Sequence, residues 1–305
     1  MSWVLLFEQS LNGLQFGLML FLLAAGLTLV FGIMDMINLA HGSLYMLGAF
    51  FAAALVEATG SFLAGVLLAV PATALAGMML ERALLRRLYA RDHLSQVLAT
   101  FALILVLNET VRIVWGSDRP LALPAALSGP VELLSGLFYP SYRLLIIAVG
   151  LAVALLLHLL VGYTRLGMWV RAGAANREMA LAMGVNIGTL FTAVFGIGAA
   201  LCAVAGALLA PLLAVQVGMG ENILIVAFVV IVIGGIGSIR GAFVGALLVG
   251  AVDTMGRTLL PIALGAFLPP QFASAAGPAL ASVAIYVLMA GVLFFKPQGL
   301  FPARA

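Results

Sequence analysis

Ionisable and amide side chains are scarce in this chain, so the places where they gather are the places where chemistry could occur. Asp35, Asn38 and His41 lie close together, Glu221 adjoins Asn222, and Asp253 stands alone in an apolar run. Such groups are costly at membrane depth and usually face a protein interior or a wet cavity, so Asp35, Asn38 and His41 could shape a break between helices beside a path through the membrane. The other reading of the first group is an ordinary turn, in which Asn38 or Ser43 caps a helix and Gly42 permits close packing. The densest polar stretch runs from Arg165 to Asn186. It carries Arg171, Asn176, Arg177 and Glu178 between long apolar flanks.

Covalent chemistry is poorly provided for. Lys296 is the only lysine and precedes Pro297, so the chain holds no Gly-x-x-x-x-Gly-Lys-Ser/Thr phosphate loop. Nucleotide energy, if used, must come from another subunit. His41, His93 and His158 sit in separate segments, and Cys202 is the only cysteine. Neither a metal site nor an internal disulfide is expected from that set. Gly237-Ser238-Ile239-Arg240-Gly241 has no base at the spacing of a nucleophile elbow, so no catalytic residue is expected. The net charge of +3 gives no sign of nucleic-acid binding.

The elements that position these groups follow from composition. The chain is 65% hydrophobic and 8% charged, with a mean hydropathy of +1.24, which leaves no surface for water to cover. The expected fold is all-α, a polytopic transmembrane bundle of about nine spans, between eight and ten. The spans are placed at about 9–33, 42–57, 61–80, 95–115, 141–161, 188–212, 220–236, 241–262 and 275–295. Period-two alternation is nearly absent, which disfavours a membrane barrel. A single transmembrane domain over 1–305 is expected, with an outer loop at 116–140 and a cytoplasmic loop at 162–187.

Orientation comes from the basic residues, which are retained on the cytoplasmic side. With the N-terminus outside and the C-terminus cytoplasmic, Arg82, Arg86, Arg87, Arg91, Arg165, Arg171, Arg177, Arg240, Lys296 and Arg304 fall inside. These are ten of the fourteen cations. Arg112, Arg119, Arg143 and Arg257 fall toward the outside. The spans on either side of the central loop then run in opposite senses, as in inverted-repeat transporters. The first apolar stretch lacks a basic leader and a cleavage site, so it is expected to remain in the protein.

Gly237, Gly241 and Gly245 recur every four residues, a stripe that lets helices pack closely. Asn108, Glu109, Arg112 and Trp115 read as an anchor at the end of the fourth span. In the central loop, about Ala174 to Met183 favours helix. Ala175, Met179, Ala182 and Met183 share one side, Asn176 and Arg177 turn elsewhere, and Gly184 is a stop. A methionine-bearing face on such a helix suits a partner's groove; the other reading is a helix lying on its own bundle or at the lipid surface.

Taken in order, these blocks resemble a known family. Gly-Met-x-x-Arg-Ala, Asn-Arg-Glu-Met-Ala and Met-Gly-Val-Asn within Arg165 to Asn186 look like the coupling loop of ABC importer permeases of the branched-chain amino acid type. Gly26-Leu-Thr-Leu-Val-Phe-Gly-Ile-Met-Asp-Met-Ile-Asn-Leu-Ala-His-Gly-Ser-Leu-Tyr-Met-Leu-Gly48 resembles that family's N-terminal signature, and Gly234 to Gly245 its late glycine-rich segment. The closing Lys296-Pro-Gln-Gly-Leu-Phe-Pro302 is similar too. The resemblance implies a type II-like permease in a bacterial inner membrane. Its partners would be a second permease subunit (a homologue or a second copy), two cytosolic ABC ATPases, an external solute-binding protein and membrane lipid. ATP and Mg would sit on the ATPases, with no cofactor on this chain. Arg171, Asn176, Arg177, Glu178, Met179, Met183, Gly184 and Asn186 would couple to the ATPase. Asp35, Asn38, His41, Glu221, Asn222 and Asp253 would line the path. The Glu-Ala-Ala opening and Leu-Pro ending of the general importer loop are missing here. The implied cargo is a branched-chain or related amino acid, with urea, short amides or aromatic carboxylates as alternatives. A self-sufficient secondary transporter or channel is the alternative of another class.

Overall fold

The computed structural model describes residues 3–302 other than Ser135. Eleven α-helices are formed among them. They are α1 (Trp3–Met34), α2 (His41–Thr59), α3 (Phe62–Ala83), α4 (His93–Trp115), α5 (Ser141–Tyr163), α6 (Arg165–Ala175), α7 (Arg177–Ala182), α8 (Ile187–Leu209), α9 (Met219–Gly234), α10 (Ile239–Leu264) and α11 (Pro270–Phe295). A short 3-10 turn, Leu85–Arg87, extends α3.

Eight helices are long and apolar enough to cross a bilayer, and the protein is a polytopic helical membrane protein. The segment expected as a span at 220–236 is the shorter helix α9, of 16 residues. At 1.5 Å per residue it is about 24 Å long, less than the roughly 30 Å of a hydrocarbon core. Glycines bound it on both sides: Gly218 has φ +87° and Gly235 φ +106°, conformations that an L side chain adopts only with strain.

Four short strands interrupt the helical plan. Strands β2 (Pro130–Leu134) and β3 (Leu137–Pro140) pair antiparallel within the 116–140 loop. Strand β1 (Asp118–Arg119) pairs with β4 (Val215–Gln216). None is long enough to be seen in period-two patterning, and all lie between helices.

The chain forms two compact units. The first takes its described residues from Met1–Phe21, Pro124–Ala152 and Phe228–Ala303, the second from Leu22–Leu123 and Val153–Ala227. Small residues organise both. In the first, α10 lies close to α11 and to the start of α1. A Cβ on Gly250 would fall 2.6 Å from the Gly17 backbone, and Phe21 meets Phe243 edge-on at 5.1 Å. In the second, α2, α3 and α8 pack around the fully buried Ala52, Ala69 and Ala207, flanked by Phe51, Leu55 and Val66. Backbones approach this closely because alanine and glycine leave nothing between them.

Gly241 and Gly245 face the backbone of α9, where added Cβ atoms would collide with the carbonyls of Gly234 and Val230. Gly237 does not share that stripe. It precedes α10, in a turn at φ +81°, so its role is conformational.

Candidate functional site

The second unit carries the densest polar geometry, built where α1 breaks before α2. Helix α1 stops at Met34 because Asp35 adopts the left-handed conformation, φ +51°, while its amide still donates to Phe31 O at 2.9 Å. A non-glycine residue there is uncommon and marks a constrained turn. Asn38 is fully buried. Its Oδ1 accepts from Ala40 N at 3.0 Å, an Asx turn that leads into α2, while its Nδ2 is buried without a partner.

Two residues of α4 complete the break. Gln96 Oε1 accepts from Ile37 N at 3.3 Å, and Thr100 Oγ1 accepts from Leu39 N at 3.3 Å. Gln96 is fixed by donating to Arg91 O at 3.0 Å and Leu88 O at 3.3 Å. Both side chains are buried, so they supply partners to amides that neither helix nor water serves.

His41 begins α2 with its ring wholly enclosed; Nε2 lies 3.1 Å from Cys202 Sγ on α8. Just beyond it, Gly42 meets Gly220 of α9 so closely that a Cβ on either would overlap the other's carbonyl. Glu221 is exposed and accepts from Asn108 Nδ2 at 2.6 Å, and Asn222 is exposed beside it. Asp253 belongs to the first unit. There it receives both its hydrogen bonds from Arg257 Nε, at 2.9 Å each, and Arg257 also donates to Ser282. Asp35, Asn38, His41, Glu221 and Asn222 thus share a unit. Asp253 is already paired by a cation four residues along its own helix.

Glu109 pairs with Arg112 at 3.6 Å, both exposed. Trp115 packs on Phe50 and Phe51, at centroid distances of 6.0 and 5.4 Å. Among the described residues, no three His, Cys, Asp or Glu side chains come together as a metal site.

The central loop is a series of capped helices. Thr164, Asn176 and Asn186 each stand just before a helix and accept from the amide three residues on, at 3.2, 2.9 and 3.0 Å. The expected helix from Ala174 to Met183 is therefore two helices, because Asn176 (φ −158°, ψ 108°) leaves the helical region to cap α7. Gly184, at φ +85°, ends α7 in a Schellman arrangement. Its amide donates to Leu181 O and that of Val185 to Ala180 O, both at 3.0 Å.

Met179, Met183 and Leu181 are 61%, 78% and 62% exposed, whereas Ala180 is buried. Leu181 belongs to the exposed apolar set that the sequence pattern had limited to Met179, Met183 and two alanines. Glu178 is exposed. Arg171 donates back to Val161 O. Arg177 turns inward, its Nε 3.0 Å from Ile33 O and its guanidinium 5.5 Å from the Phe191 ring centroid.

A cluster joining α3, the turn after it and α8 escaped the sequence reading. Glu81 is completely buried. It accepts from Thr192 Oγ1 at 2.6 Å, Tyr89 OH at 2.7 Å and Arg86 Nε at 3.4 Å, and Arg86 Nη2 also reaches Gly188 O at 2.8 Å. Tyr89 stacks edge-on against Phe191 at 5.2 Å. Burial first, then the bond to Glu81, pushes the Tyr89 phenol's pKa up, so it stays a donor. The one sequence signal was a lone acid among arginines that otherwise read only as topology markers.

Known proteins resemble this chain along nearly its whole length. A family model described as branched-chain amino acid transport system / permease component matches residues 9–293. The chain is 32% identical to the high-affinity branched-chain amino acid transport system permease protein BraD of Pseudomonas aeruginosa, over 96% of this chain and 94% of that protein. It is 30% identical to the corresponding permease protein LivH of Escherichia coli, over 94% of each chain. A probable branched-chain amino acid transport permease protein LivH of Methanocaldococcus jannaschii is 27% identical over 81% of this chain and 80% of its own. No solved structure matches. The chain belongs to the family of permease components of branched-chain amino acid transport systems.

Proposed function

We propose that this protein is the membrane-spanning subunit of an ATP-driven importer. In this reading it moves branched-chain or related amino acids inward, on energy from ATP hydrolysed by partner subunits. The observation that carries the reading is α7. It is a short helix capped at both ends, and it and the Met183 that follows it present Met179, Leu181 and Met183 outward. Flexible thioether and aliphatic side chains exposed on a fixed helix fit an apolar groove on a cytosolic partner. A chain with its single lysine before Pro297 has no phosphate loop of its own, so the ATPase sites belong to that partner.

The partners are two ABC ATPases, a second permease subunit and an external solute-binding protein, with the 162–187 loop and C-terminus in the cytoplasm. The break at Asp35 to His41, together with Glu221 and Asn222, lines the path. Asn38 and His41 are buried while Asp35, Glu221 and Asn222 are exposed, and polar groups held inside a membrane protein mark solute routes.

The test is co-purification of the ATPase with permease in which Met179 and Met183 are both changed to Asp. Loss of the ATPase with retained folding is expected. Undiminished association, or solute transport by the purified permease alone in vesicles, would overturn the assignment.

A further inference from the structure

The break that ends α1 splits one helical hydrogen bond into two halves, and each half is completed by a different element. In an uninterrupted helix Ile37 N would donate to Ile33 O. Here Ile37 N donates to Gln96 Oε1 of α4 at 3.3 Å, which leaves the Ile33 carbonyl among the orphan acceptors of the helix terminus. Arg177, the first residue of α7, donates its Nε to that carbonyl at 3.0 Å. A cation there also meets the negative end of the 32-residue α1 dipole.

The Arg177 guanidinium has a second partner. It lies 5.5 Å from the Phe191 ring, Phe191 packs edge-on against Tyr89, and Tyr89 is tied to the buried Glu81. Two other charged residues of the loop behave differently: Glu178 is exposed, and Arg171 bonds to the nearby Val161 O.

We infer that Arg177 is not a docking contact for the ATPase but a latch, the positioning residue through which movement of α7 reaches the polar break at Asp35 to His41. This rests on the importer reading above. Displacement of α7 draws Arg177 from the α1 terminus, exposes the Ile33 carbonyl and loosens the segment carrying Asn38. The partner's grip, on Met179, Leu181 and Met183, is separate from this latch, so binding and transmission can be broken independently.

The test uses the assembled transporter in vesicles, with Arg177→Ala, Arg177→Lys and Phe191→Leu. Three readings are taken: ATPase co-purification, solute moved per ATP hydrolysed, and hydrogen–deuterium exchange across residues 33–41. Arg177→Ala is expected to keep the ATPase bound, to lower solute moved per ATP about tenfold, the scale of one lost charge-assisted hydrogen bond, and to speed exchange in the break. Phe191→Leu should do the same more weakly, without any change of charge. Arg177→Lys should restore part of the coupling, because it keeps a cation at the helix end but loses the flat guanidinium over the ring.

An unchanged coupling ratio and unchanged exchange in Arg177→Ala overturn the latch, as does loss of the ATPase from that variant, which would make Arg177 a docking contact. Failure of the unaltered protein to recruit any ATPase overturns the importer reading instead. If Arg177→Ala does not fold, Phe191→Leu and Arg177→Lys carry the same decision.

Discussion

The Glu81 cluster makes a quantitative prediction. Tyr89→Phe removes one hydroxyl that donates at 2.7 Å to a completely buried carboxylate. A hydrogen bond to a charged group contributes about 1.5–3 kcal/mol. Glu81→Ala removes the acceptor itself, so that the Tyr89 hydroxyl has nothing left to lose. In that background Tyr89→Phe should cost close to nothing, and the double-mutant cycle should return a coupling of about 1.5–3 kcal/mol. At a few degrees per kcal/mol, the non-additivity is on the order of 5 °C in the unfolding midpoint. Thermal unfolding of the four purified proteins in one detergent measures it. The folded phenol's pKa is raised above the unfolded value of about 10, so the contribution is complete below that pH and declines only as the pH rises past it. Additive midpoints, with Tyr89→Phe equally costly in both backgrounds, would refute the reasoning and leave Tyr89 as mere packing.

Two further outcomes follow from the packing. Gly42→Ala should lower the unfolding midpoint by the equivalent of about 1–3 kcal/mol, since the new methyl meets Gly220 backbone that cannot swing aside; Gly129→Ala, where nothing lies within 4 Å, should leave it unchanged. Cys202 is fully buried beside the His41 ring, so a maleimide should fail to label the folded protein yet label it fully after denaturation; rapid labelling of the native protein would place the thiol on a wet surface.

The sequence disclosed the apolar segments because lipid demands long uninterrupted runs, and each one became a helix. It placed α9 at about 220–236, and the helix formed there, Met219–Gly234, is shorter than the other apolar helices because Gly235 leaves the helical region at φ +106°. It foresaw Gly184 as a stop, since few residues accept φ +85°. It did not foresee Asn176 as a cap, because asparagine within a helical pattern resembles a tolerated interior residue. Gln96, Thr100 and Glu81 were invisible for another reason. Besides local bonds, each has a partner far along the chain, 59, 61 and 111 residues away, and no local spacing encodes such pairs. The exposed methionines of α7 could be read from pattern; the inward turn of Arg177 depends on where Ile33 and Phe191 lie in space.

Asn176 closes α6 and opens α7 by itself. With peptide bonds rigid, one non-helical residue leaves only its own φ and ψ as soft coordinates between the two helices. The joint behaves like a universal coupling with no slack: α7 can swivel about a fixed point, but it cannot slide or drift from α6. A torque applied to α7 therefore has few places to dissipate before it arrives at the neighbouring helices. Inserting a glycine beside Asn176 would add a second joint and convert a stiff crank into a loose chain.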